Sequence, residues 1–143
     1  MDIMFWALIG AVIALVFAAV AASGVLKKSE GSEKIKKIAG AIRRGANAYL
    51  KRQYKTVAIF FVIVTIVLAI LAATGFMTFF VPIAFIVGGV FSALAGFIGM
   101  KIATAANSRT VTGATKSLNS ALRVSFSSGA VMGMTVVGLG LLY

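Results

Sequence analysis

Three charge-free apolar runs decide most of what this chain can fold into. They are residues 3–26 (IMFWALIGAVIALVFAAVAASGVL), 57–74 (VAIFFVIVTIVLAILAAT) and 79–100. A bilayer's hydrocarbon core takes roughly 20 consecutive apolar residues in one helix, and soluble helices have no need of such runs. A fourth run ends at Tyr143. Counted from Gly129 it gives about 22 Å of helix, short of a core about 30 Å thick. Begun near Ala121, with Arg123 snorkelling to the interface, it just crosses. The expected fold class is therefore all-α. It is a polytopic transmembrane bundle of about four spans, 3–26, 57–74, 79–100 and 121–143, in a single 1–143 transmembrane segment. The first run is too long for a secretory signal, and Asp2 is the only charged side chain before it, so it reads as a retained helix.

Charge sets the expected orientation. All 14 Lys and Arg fall in residues 27–55 or 101–123, and the link between spans two and three (GFMT, 75–78) has none. A short uncharged hairpin brings both basic segments to one membrane face, which the positive-inside rule makes cytoplasmic. The N-terminus then lies outside. The net charge of +11 needs no nucleic acid to explain it: basic loops beside apolar spans orient the chain and attract anionic headgroups. No aromatic platform accompanies them.

Residues 33–55 (EKIKKIAGAIRRGANAYLKRQYK) add a basic amphipathic cytoplasmic segment, continuous with span two. At 100° per residue Ile35, Ile38, Ala39, Ile42, Ala46, Tyr49 and Leu50 share one arc, and Lys36, Lys37, Arg43, Arg44, Lys51 and Lys55 fill the rest. Such a helix lies on the lipid surface or packs against the ends of other spans, and periodicity does not separate the two.

The polar inventory excludes most chemistry. The chain has no Cys and no His, and its only acids are Asp2, Glu30 and Glu33. Thiolate sites, disulfides and acid/base pairs inside the spans are ruled out. Thr65 and Ser92 are weak polar exceptions at depth, each able to bond its own helix backbone. Glycine-rich phosphate loops are missing too, because the glycines sit inside apolar runs. No catalytic, cofactor-binding or metal-binding residue is expected in this chain. Glu30 and Glu33, three residues apart, are at most a weak, water-mediated magnesium pair. The glycines suggest close helix packing instead. On span three Gly88, Ser92, Gly96 and Met100 form one stripe, and Ala95, Gly99, Ala103 and Asn107 its neighbour. Span four opens with the GxxxG of Gly129–Gly133.

Three stretches carry a family resemblance: "IRRGANAYLKRQYKT" (42–56), "GFIGMKIATAANSRT" (96–110) and "VSFSSGAVMGMTVVGLGLL" (124–142). In order and spacing the chain resembles the N-terminal part of a membrane-bound, ion-translocating inorganic pyrophosphatase. The resemblance implies a homodimeric pump with many more helices that hydrolyses magnesium pyrophosphate on the cytoplasmic side and drives protons or sodium ions outward. It implies that the magnesium-holding carboxylates, the nucleophilic water and the ion gate belong to later helices. None of those motifs occurs here, so no site residue is carried over. The four spans would be part of an outer supporting ring, partnered by lipid and by the remaining helices of the parent. Within "GMKIATAANSRT" (99–110), Lys101 and Arg109 would mark where span three leaves lipid. A role for them in gathering pyrophosphate is the lesser expectation. The chain also reads as cut short of its family's length. The alternative is a free-standing four-helix accessory protein. A ring-forming proton carrier is excluded because it needs a carboxylate at mid-membrane.

Overall fold

The computed structural model describes residues 3–143, so Asp2 lies outside the described residues. Four helices account for nearly all of them: α1 (Ile3–Leu26), α2 (Glu33–Ala73), α3 (Phe80–Ala114) and α4 (Leu118–Leu142). Each is long and apolar enough to cross a membrane. The fold is an all-α bundle of transmembrane-length helices.

The basic amphipathic segment and the second apolar run form one unbroken helix, α2. At about 1.5 Å per residue it is some 60 Å long, twice the hydrocarbon thickness. The third helix departs from the apolar pattern. The run stops at Met100 but α3 continues to Ala114, so Lys101, Asn107 and Arg109 stand on a helix. A count of apolar residues ends at the first charge; the helix persists because its far half packs against the amphipathic half of α2. The fourth helix starts at Leu118, capped by the Ser117 side chain accepting from the Ser120 N–H at 3.1 Å. The helix is thus longer than the apolar run counted from Gly129.

The α2–α3 turn is built by local rules. Thr74 caps α2 and Gly75 follows with φ +82°. The Gly75 N–H bonds Ala72 O and the Phe76 N–H bonds Leu71 O, the paired arrangement of a Schellman stop, which favours glycine at the left-handed position. The sole proline, Pro82, falls in the first turn of α3, where an absent N–H costs nothing.

The helices pack side by side. α4 lies between α1 and α3, and α2 packs against α3 alone among the described helices. The α4 seam is Ala121, Val124, Ser128, Val131, Thr135 and Gly138, all buried, at alternating spacings of three and four that keep one face inward. At Gly138 an added Cβ would sit 2.7 Å from Leu15 Cγ, and at Gly99 one would sit 2.6 Å from Met132 Cγ. Missing side chains there let α1, α4 and α3 approach closely. Between α2 and α3, Phe61 stacks on Phe85 with centroids 4.4 Å apart, directly over Gly89.

One expected packing element is absent from these contacts. Gly129 and Gly133 face outward, with nothing within 4 Å of where a Cβ would be. They lie on the face of α4 opposite its seam. The other helices bury only 6% of the most apolar window of α2 and 28% of that of α4. Most of the apolar surface thus remains for lipid or for further helices.

Candidate functional site

The polar residues of the basic end converge on one carboxylate. Glu30 lies in the α1–α2 link, and its two oxygens accept a parallel pair of hydrogen bonds from Arg43 Nη1 and Nη2 on α2, each 2.8 Å. Arg109 of α3 approaches from the other side, with Nη1 3.1 Å from Glu30 Oε1. A planar guanidinium matches a carboxylate in this way and a lysine does not.

Arg109 does more than pair with Glu30. Its side chain is 9% exposed. Nε donates to Lys28 O at 3.0 Å, Nη2 to Leu26 O at 3.0 Å and Nη1 to Ala105 O at 2.6 Å. The last carbonyls of a helix have no partners within it, and its C-terminus favours positive charge. α1 has no basic residue in its last turn; Arg109 supplies the cation from another helix. Just beneath, Val25, Ala106 and Val124 form a buried cluster joining α1, α3 and α4. The link also needs Gly31, whose φ is +88° and whose missing Cβ leaves room for Thr112 Oγ1.

The electrostatics follow from this geometry. The Arg43 hydrogen bonds hold the Glu30 carboxyl down at about 2. Partial burial opposes them, and the charges of Arg43 and Arg109 add to them. Arg43 is raised in turn, chiefly by its bonds to Glu30. So weak a base has no proton to exchange near neutrality, and each of its oxygens already accepts from a guanidinium. Glu33 is bound by Lys36 at 2.7 Å. Both described carboxylates are therefore engaged by cations, and among the described residues no three His, Cys, Asp or Glu gather. The two glutamates, paired in sequence, are separated by their partners.

The residues of "GMKIATAANSRT" divide the same way. Lys101 Nζ donates to Asn47 Oδ1 on α2 at 2.8 Å. Asn107 lines a small apolar cavity of about 120 Å³ with Ile35, Ile38 and Ile42; Ala39 and Leu50 of the amphipathic arc are buried, while Ile38, Ile42 and Tyr49 stay largely exposed. Arg109 is largely buried, its guanidinium held by Glu30 and three backbone carbonyls. Sequence reasoning missed Arg43 as the partner of Glu30. The available signal was that Glu30 is one of two acids among ten cations at residues 27–55, next to a glycine.

Four membrane-length helices, tied at their basic end by an arginine clasp, define a polytopic helical membrane protein. Within that class, the chain belongs to the inorganic H+ pyrophosphatase family, whose model matches residues 12–143. It is 51% identical over 99% of its length to a putative K+-stimulated pyrophosphate-energized sodium pump of Bacteroides thetaiotaomicron, covering 20% of that protein. It is 40% identical over 98% of its length to a K+-insensitive pyrophosphate-energized proton pump of Methanosarcina mazei, covering 20%. A K+-stimulated pyrophosphate-energized sodium pump of Thermotoga maritima is 42% identical over 91% of the chain, which covers 18% of that pump. The chain thus spans about a fifth of the length of the curated relatives it matches.

Proposed function

We propose that this chain supplies the first four helices of a pyrophosphate-energized ion pump, as a non-catalytic outer ring that supports the reacting helices. The observation that carries this is the clasp: the charged residues best placed for chemistry are consumed in tying α1, α2 and α3 together. Pyrophosphate hydrolysis needs several carboxylates to hold magnesium and polarise a water. In this reading those ligands, the magnesium and the ion gate belong to the rest of the pump. The similarity to pumps of both kinds supports proton or sodium transport and favours neither ion. The one-sided charge supports a cytoplasmic basic end and an external N-terminus. A homodimer rests on family resemblance.

Phosphate release by purified 1–143 in liposomes with magnesium pyrophosphate tests the assignment, beside Glu30→Gln/Glu33→Gln. The expected result for both is a rate equal to the protein-free blank. Turnover above the blank that disappears in the double variant would place catalysis in this chain and sink the reading.

A further inference from the structure

A groove of about 540 Å³ runs between α2 and α3, well within the range of ~300–1,000 Å³ typical of small-molecule sites. Its walls are apolar, formed by Leu50, Val90, Leu94 and Phe97. Its floor is Tyr54, whose hydroxyl crosses to donate to Ala93 O at 2.7 Å. Lys101 lines it at one end beside Asn47, and Lys51 lines it one turn of α2 further in. The Lys101 ammonium sits 5.4 Å from the Phe97 ring centroid and shares a hydrogen bond with Asn47. Neither lysine has a carboxylate partner among the described residues.

We propose that this groove is a binding site for one anionic phospholipid, its acyl chain along Val90–Phe97 and its phosphate between Lys51 and Lys101. Length carries the first half of the argument. From Val90, near the middle of the third apolar run, to Lys101 at its edge is about 16 Å of helix, and one leaflet of a core about 30 Å thick is about 15 Å deep. The groove therefore matches a single leaflet, with its ammonium groups at headgroup level. Charge complementarity carries the second. Two lysines without a carboxylate partner among the described residues, at the mouth of an apolar slot, suit a phosphodiester whose charge no choline offsets, and basic pockets between membrane helices favour such headgroups. An incoming protein helix would have to bring its own acids to that depth.

The test uses the assembly containing this chain, exchanged into nanodiscs with phosphatidylglycerol or phosphatidylcholine carrying a photoreactive group at mid-chain. Phosphatidylglycerol should label the peptides containing Tyr54 and Val90–Phe97. Labelling should fall about thirtyfold in Lys51→Gln/Lys101→Gln and stay unchanged in Lys34→Gln/Lys37→Gln, whose charges lie elsewhere on α2. Leu94→Trp, which fills the slot and spares both lysines, should also abolish it. Equal labelling by phosphatidylcholine, or no loss in the lysine double variant, would reduce the groove to ordinary lipid contact and overturn the proposal. Absence of label from a folded, monodisperse assembly would mean that a protein segment fills it, and would overturn the proposal equally.

Discussion

Glu30 carries the pH dependence of the basic end. Its carboxyl is held at about 2 against an ordinary 4.5, first through the Arg43 hydrogen bonds. A folded-state value below the unfolded one gives stability that is complete above about 4.5 and is lost as pH falls toward 2. Amide protection factors in the 27–32 link, corrected for the intrinsic exchange rate at each pH, should therefore fall over that interval, and in Glu30→Gln they should be low already at neutral pH. An unchanged exchange profile in that variant would remove Glu30 from the clasp. Little of this was legible in the sequence. Periodicity places Arg43 on the charged side of α2 and Arg109 past the end of an apolar run. It has nothing to say about a carboxylate in a link 79 residues away from Arg109, because that meeting is made by the packing of α1 and α3, not by any repeat.

At the scale of elements, the apolar runs and the amphipathic half of α2 were readable because lipid and a helix period impose lengths and spacings on composition. Which glycines touch a neighbour was not, since small-residue spacing is the same on a buried face and an open one. The structure separates them. Gly89 lies under the Phe61 ring and Gly96 sits 3.3 Å, measured from its absent Cβ, from Tyr54 Oη. Gly89→Leu and Gly96→Leu should part α2 from α3 and lower thermal stability by several degrees, while Gly133→Leu should resemble the control Val87→Leu in the isolated chain. Thermal melts in one detergent read this directly, and a Gly133→Leu loss as large as that of Gly89→Leu would contradict the packing. The third helix also outran its apolar run by 14 residues, since a count of hydrophobic residues cannot see the α2 surface that supports Lys101–Ala114.

Across the whole molecule, both basic segments meet at one end, and the uncharged α2–α3 turn lies at the other. A reporter fused at Met77 should read as external, and fusions after Ser29 or Thr112 as cytoplasmic. A cytoplasmic signal from Met77 would invert the proposed orientation without disturbing the helix packing. The clasp has a further meaning for how such a chain comes to be in a membrane. Arg109 covers the carbonyl of Leu26, 83 positions earlier, and a ribosome makes the early part first. When α1 and α2 enter the bilayer, Glu30 has Arg43 but the end of α1 is still bare. Arg109 reaches Leu26 O only when α3 packs beside α1 with its far half at the same end. The Leu26 carbonyl and the Glu30 carboxylate thus gain their third-helix partner only once α3 is in place.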